Sequence, residues 1–396
     1  MLRLLTGVLS AKEIHIGTLP QSAALEVRAP VLSLPQSHQS FYRPELDVLR
    51  FFAFFGVFLF HAYGKHTVHN AAPWIAQANR LNCAGAFGVD LFFVLSAYLI
   101  TELLLREKRR LGRLNIKAFY LRRILRIWPL YFFALALALI PFFNPDHAFD
   151  RRYAIAFVLL AGNWSVVAWG WPGSSIVGPL WSVSVEEQFY LTWPLLVRKT
   201  ATRNLAYVAI AMLVLATGTR AVLVAIHADP VSVWCSTLSR LDPIALGILV
   251  ALVLRGRIPR FRLWSRLGML FAGILPVVFI ADFWHLPWPG KLTWVPYLIG
   301  FPVVAISCTL ILLAILGIAV RPPAILVHLG KISYGLYVYH LLGMHLAKLV
   351  LQGHLAIRQV LALLITILLA SASYAFLEKP FLKLKKRFEL VGSRPV

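Results

Sequence analysis

The chain has 396 residues, of which 59% are hydrophobic and only 14% charged, with a mean hydropathy of +0.74. That composition excludes an ordinary soluble globular protein. Its 39 Lys and Arg against 16 Asp and Glu give a net charge of +23. In a soluble protein that excess would suggest nucleic acid; here the basic residues cluster between apolar runs, so membrane topology explains them and no nucleic acid is expected.

Residues 1–40 are of mixed composition, with Pro20, Pro30 and Pro35 and no sustained period. Their apolar stretch is too short for a signal peptide. They are expected to form a loosely ordered cytoplasmic extension. Residues 41–381 are expected to form the integral membrane domain, and 382–396 a basic cytoplasmic tail.

Apolar runs of spanning length begin at about 46–63 and 83–105. Between them and the next run at 124–143 lies REKRRLGRLNIKAFYLRRILR, residues 106–126, with nine basic residues and one acid. By the positive-inside rule this stretch is cytoplasmic, and so is the N-terminus. Two candidates follow, 153–169 and 181–197, and then RKTATR, whose three basic residues look cytoplasmic. If both candidates crossed, RKTATR would lie outside. One is therefore expected to be re-entrant or broken, with the Gly- and Pro-rich NWSVVAWGWPGSSIVGP the preferred place. Further spans are expected near 205–226, 234–254, 264–281, 295–319, 332–351 and 356–377. The loop RGRIPRFRLWSR and the tail EKPFLKLKKR, with five basic residues each, then fall inside. The expectation is an all-α polytopic bundle of about ten transmembrane helices, with one extra re-entrant or broken segment and both termini cytoplasmic. No clear inverted repeat of the transporter kind is visible.

Ionisable groups inside these runs need partners or a water-lined cavity. In RPELDVLRFFAFFGVFLFH, Arg50 and His61 are about three turns apart, hence nearly on one face and about 16 Å apart along the axis. Asp47 and Arg50 have the i,i+3 spacing of a structural ion pair. Asp90 and Ser96 sit in GVDLFFVLS, and Glu186 and Glu187 in WSVSVEEQFY. Arg220, Arg240 and Asp242 follow, and Arg240–Asp242 reads as a simple buried pair. Ser333, Tyr337 and His340 share a helical face. Glu378 closes the last span. Each alone could be interhelical glue, but together they suggest one internal cavity. Arg123 and Arg126, with Arg122 and Lys117 nearby, form a guanidinium cluster suited to a phosphorylated ligand. Topology and anionic lipid are the competing reading. The three cysteines, Cys83, Cys235 and Cys308, make neither a metal spacing nor a disulfide framework, and no metal is expected. Walker-type, G-x-S-x-G, H-E-x-x-H and paired C-x-x-C motifs are missing from the sequence.

Six stretches occur in order: RPELDVLRFFAFFGVFLFH, GVDLFFVLSAYLIT, FYLRRILRIWPLYF, LWSVSVEEQFYLTWPLL, ISYGLYVYH and EKP. Over residues 41–381 the chain resembles the membrane acyltransferase 3 family, the O-acyltransferases of the nodulation and O-antigen-acetylating type. The resemblance implies a multi-pass enzyme of the bacterial inner membrane that moves an acyl group, usually acetyl, from acyl-CoA (acetyl-CoA foremost) to a hydroxyl. The acceptor it implies is a carbohydrate, as a surface or secreted polysaccharide or glycolipid. It puts the family's essential Arg and His on Arg50 and His61; Asp47 and Glu186 are expected beside them as further catalytic candidates. It puts the family's R-x-x-R pair on Arg123 and Arg126, its acidic motif on Glu186 and Glu187, and its late His and acid on His340 and Glu378. On the residues themselves, Lys117 and Arg122 are expected beside the arginine pair at the donor, and Glu187, His340, Tyr337, Asp90, Ser96 and Glu378 near the acceptor. Val48 and Ala97 stand where the family usually has Gly, a departure that touches packing. Some members carry an extra extracytoplasmic esterase-like domain; none is expected here, and with it no relay through a second catalytic site. Residue physics alone also fits a transporter or lipid flippase; only the ordered motif set favours the enzyme.

Overall fold

The computed structural model describes residues 42–64, 77–78, 81–143, 149–173, 176–286 and 292–389. The expectations for residues 1–40, for the end of the tail and for Ser174 and Ser175 in the proposed re-entrant stretch lie outside the described residues. The chain divides into two units, Met1–Gln39 and Ser40–Val396, and every described residue belongs to the second.

Among the described residues every regular element is helical. Helix α1 is Pro44–Leu59, continued by a π-helical turn at Phe60–Gly64; α2 is Gly88–Leu111; α3 is Ile116–Ala138; α4 is Arg151–Val158; α5 is Gly162–Trp169. Helix α6 is Leu180–Lys199; α7 is Asn204–Ala225; α8 is Pro230–Cys235; α9 is Leu241–Leu254; α10 is Leu263–Phe283. Helix α11 is Phe301–Ile315; α12 is Ala324–Lys331; α13 is Ser333–Val350; α14 is Leu355–Ser373; α15 is Lys379–Lys385. Among the described residues six helical stretches are long and apolar enough to cross a membrane: Pro44–Tyr63, Leu81–Leu111, Asn204–Ala225, Leu263–Phe283, Pro296–Ile315 and Leu355–Phe388. Helices α3, α6 and α13, at 23, 20 and 18 residues, carry most of the remaining polar site residues.

Local chemistry sets the helix ends. Pro44 occupies the first turn of α1, where its missing N–H costs nothing, and Glu45 and Asp47 favour the positive end of the dipole. Gly112, at φ +66, closes α2 in the left-handed region. Asn115 then caps α3 by accepting the Ala118 N–H at 3.0 Å. Helix α3 thus begins at Ile116, ahead of the expected span, and Arg122, Arg123 and Arg126 are helical.

Helix α1 packs against α2, α12 and α13. Two glycines permit this. A Cβ on Gly85 would meet the Gly56 carbonyl, and a Cβ on Gly330 would meet that of Asp47. Gly330 therefore lets α12 lie directly on the backbone that carries the Asp47–Arg50 pair.

The segment 153–169 is broken. Helices α4 and α5 have 8 residues each, about 12 Å, against about 30 Å of hydrocarbon. At the break Leu160 sits at φ 57. The Leu160 carbonyl accepts from the Gln188 amide of α6 at 3.0 Å, and Gln188 also reaches Asn163 at 2.9 Å. Tyr131 of α3 donates to the Phe157 carbonyl at 2.8 Å. Side chains of neighbouring helices thus satisfy a backbone that lipid could not. The expectation of one continuous span at 234–254 is corrected: the chain forms α8, a 3-10 turn at Leu238–Arg240 and then α9. Asp229 caps α8, and Pro243 and the buried ion pairs described below mark the start of α9.

The four basic segments expected on one side of the membrane meet. Arg109 donates to the Arg255 carbonyl at 2.9 Å and Arg106 to that of Gly256 at 3.3 Å. Lys108 reaches the carbonyls of Val197 and Thr200 at 2.7 and 3.0 Å. Arg122 donates to the Phe388 carbonyl at 2.8 Å.

Candidate functional site

The i,i+3 pair on α1 forms: Arg50 Nη1 lies 3.0 Å from Asp47 Oδ1, and the Tyr42 hydroxyl donates to Asp47 Oδ2 at 2.9 Å. Both residues line a cavity of about 1240 Å³, counting its open mouth. Arg123 and Arg126 of α3, Glu186 and Tyr190 of α6, Ser96 of α2 and Lys385 of α15 line it too. Tyr190 donates to Glu186 at 3.1 Å. Among the described residues five cations line this space (Arg43, Arg50, Arg123, Arg126 and Lys385) against two acids, Asp47 and Glu186. The Nε atoms of Arg43 and Arg123 are buried with no hydrogen-bond partner among the described residues. Such a space accommodates a polyanion.

His61 lies elsewhere. The π-helical turn that begins at Phe60 inserts an extra residue into the helical register just where His61 projects. Its ring lines a second cavity of about 710 Å³, counting its open mouth, walled by Trp171, Trp181, Trp234, Phe60 and Tyr337. The two cavities share Val89 and Tyr337 in their walls. The Tyr337 hydroxyl is 2.7 Å from that of Ser182 and donates to the Pro179 carbonyl at 3.0 Å. An Arg-lined chamber and a His-lined chamber thus abut across one tyrosine.

The partners of His61 fix its tautomer. His340, wholly buried on α13, places Nδ1 2.6 Å from the Tyr337 carbonyl. Its Nε2 is 3.2 Å from His61 Nδ1, which is also 2.9 Å from the Val57 carbonyl. Carbonyl oxygens only accept, so each Nδ1 carries the proton. His340 Nε2 then accepts from His61, and in the neutral His61 ring Nε2 is the unprotonated nitrogen. That is the protonation pattern of a general base held in one orientation by a second histidine.

Other expected site residues lie apart from both cavity walls. Glu187 is buried and accepts from Trp128 Nε1 at 3.1 Å. Glu378 accepts from Ser373 at 3.3 Å. Arg122 pairs with Glu107 at 3.0 Å, and Lys117 is exposed at the start of α3. Asp90 is ion-paired with Arg240 at 2.7 Å, while Asp242 pairs with Arg220 at 2.7 Å. The expected local pair Arg240–Asp242 is therefore replaced by two pairs between helices. The 3-10 turn at Leu238–Arg240 turns Arg240 toward α2, where Asp90 neutralises it. The Arg240 guanidinium lies 4.6 Å from the Trp234 ring centre and 4.9 Å from that of Phe301. This buried charge props Trp234 against the second cavity.

Sequence reading missed Lys385, Arg43, Tyr190 and the three tryptophans. Lys385 hides in a run of basic residues that topology explains. The tryptophans look like interfacial anchors until the fold gathers them.

Residues 43–375 match the acyltransferase domain family, most of the chain and every helix that carries the two cavities except α15. The chain belongs to the acyltransferase 3 family. Among its relatives is O-acetyltransferase OatA of Staphylococcus aureus, 29% identical over 370 residues, covering 86% of this chain and 57% of the relative. Another is the putative O-acetyltransferase SAS0844 of Staphylococcus aureus strain MSSA476, 25% identical over 374 residues, covering 86% of this chain and 58% of the relative. The chain thus spans under two thirds of the length of these acyltransferase 3 relatives. No solved structure matches it significantly.

Proposed function

We propose that this acyltransferase 3 chain is a membrane-embedded O-acyltransferase that moves an acyl group, acetyl foremost, from acyl-CoA to a hydroxyl of a carbohydrate. The acceptor class is a surface or secreted polysaccharide or a glycolipid. The contact of the two chambers at Tyr337 and Val89 carries the reading. It supplies an anion-binding chamber, a histidine base and a common wall between them.

The chain crosses the bacterial inner membrane ten times in this reading, through α1, α2, α3, α6, α7, α9, α10, α11, α13 and α14. The pair α4–α5 enters without crossing. The gathered basic segments then lie in the cytoplasm, as the positive-inside rule requires. The cationic chamber opens on the donor's side, and Arg123 and Arg126 hold the donor phosphates. Arg50, fixed by Asp47, sits further in, with Glu186 opposite. The acyl end extends about 16 Å along α1, past Tyr337, to His61.

The acceptor occupies the tryptophan-walled chamber, whose aromatic faces suit the apolar face of a sugar ring. His61 Nε2 takes the hydroxyl proton as the acceptor oxygen attacks the thioester carbon. The carbon–sulfur bond breaks, and the proton passes to the departing thiolate, giving ester and free thiol. His340 holds the His61 ring in the required tautomer. Glu187 and Glu378 bind acceptor only if the bundle rearranges around it, and Asp90 acts through Trp234.

The test is thioester turnover by purified protein in lipid nanodiscs with labelled acetyl-CoA. The expected result is donor-dependent release of free thiol and label transfer to a glycan acceptor, both lost in His61→Ala. Solute movement with no thioester turnover would mean a transporter instead.

A further inference from the structure

The segment after the last long helix is rich in Lys and Arg, and topology alone accounts for most of it. Lys379, Lys383, Lys386 and Arg387 are exposed. Lys385 is not: only 4% of its surface is accessible, and it lines the cationic chamber with Arg123 and Arg126. A charge needed only to face the cytoplasm has no reason to be buried beside two guanidiniums. Its ion-pair partner, Glu389, lies 3.2 Å away, one turn further along the same segment. Among the described residues the chamber still carries five cations against two acids in its walls.

The segment is also tied down. Arg122 of α3 donates to the Phe388 carbonyl at 2.8 Å and pairs with Glu107 of α2 at 3.0 Å. The basic residue beside Arg123 thus anchors the tail instead of facing the chamber. Leu382, buried one turn before Lys385, fixes the same face inward.

We propose that Lys385 is a donor-binding residue and that α15 forms the wall of the donor site that selects a phosphate-rich thioester. The ligand class is an acyl-CoA, whose nucleotide end carries several phosphate charges. An acyl phosphopantetheine, with one phosphate, leaves Lys385 without a partner beyond Glu389. This rests on the reading of the cationic chamber as the donor site. The nucleotide end spans from Arg123 and Arg126 to Lys385, and the anion displaces Glu389 from the ammonium.

Binding to the detergent-purified full chain tests it, using CoA, adenosine 3′,5′-bisphosphate and phosphopantetheine in separate titrations. Lys385→Met keeps the aliphatic stem and removes the charge. It is expected to weaken CoA and the bisphosphate about tenfold and phosphopantetheine by less than about twofold. Lys385→Arg is expected to stay near wild type, as is Lys383→Ala on the exposed face. Glu389→Gln should tighten CoA, because it removes the competing carboxylate. A tail with a merely structural role would loosen and weaken CoA in that variant. Unchanged CoA affinity in Lys385→Met, with loss in Arg123→Ala, overturns the role of Lys385 and leaves the donor site standing. Failure of wild-type protein to bind CoA at all would overturn the donor-site reading itself.

Discussion

His61 Nδ1 and His340 Nε2 lie 3.2 Å apart, joining helices α1 and α13 across 279 positions of sequence. Each ring is also held by the carbonyl of a residue a turn earlier on its own helix, Val57 for His61 and Tyr337 for His340. The pair orients the unprotonated His61 nitrogen, so its two members should fail differently. His61→Ala removes the proposed base and is expected to lower transfer by about 10²–10⁴. His340→Ala removes one orienting hydrogen bond and should cost about tenfold to a hundredfold in kcat, with the donor KM little changed. Initial rates at saturating donor distinguish the two. Full activity in a monodisperse His61→Ala protein would remove His61 from the chemistry.

Arg123→Ala and Arg126→Ala should each raise the donor KM roughly tenfold or more, a charge-assisted contact contributing about 1.5–3 kcal/mol. Lys117→Ala, on an exposed side chain of the same helix, should stay within about twofold. Donor titrations that are alike in all three variants would reduce the arginines to topology signals.

Tyr337→Phe keeps the ring between the chambers and removes its hydrogen bonds to Ser182 and Pro179. In the proposed mechanism a loosened wall admits water to the thioester. The expected result is a several-fold rise in donor hydrolysis relative to transfer, read as free thiol released per ester formed. An unchanged ratio would mean that the hydroxyl does not close the wall.

Asp90→Asn leaves the buried Arg240 guanidinium without its counter-charge and should destabilise the protein by about 3–5 kcal/mol. The double replacement Asp90→Leu with Arg240→Met should recover much of that stability. Thermal unfolding of the detergent-solubilised proteins measures both. If Asp90→Asn unfolds normally and raises only the acceptor KM, Asp90 binds substrate directly.

Cysteine labelling tests the topology. Thr200→Cys, beside the carbonyls held by Lys108, should react only from the cytoplasm. Trp169→Cys, at the end of α5, should not react from that side. Labelling of Thr200→Cys from outside would mean that 153–169 and 181–197 both cross.

Composition and run length were enough to specify the helical, membrane-type character that the described residues show, because each span needs only local apolar sequence to form. Order and spacing of the six motifs were enough to name the family. The i,i+3 pair Asp47–Arg50 was legible for the same local reason: a helix makes neighbours of residues three apart. Tertiary structure alone decided what came together from distant parts of the chain. Arg240 exchanged its nearby candidate Asp242 for Asp90, 150 positions away. His340 became the partner of His61, and Lys385 turned inward while its basic neighbours stayed outside. A sequence shows which helices must hide a charge from lipid. Which charge on another helix answers it depends on how the helices cross, and the close approaches at Gly85 and Gly330 set that crossing through backbone contact.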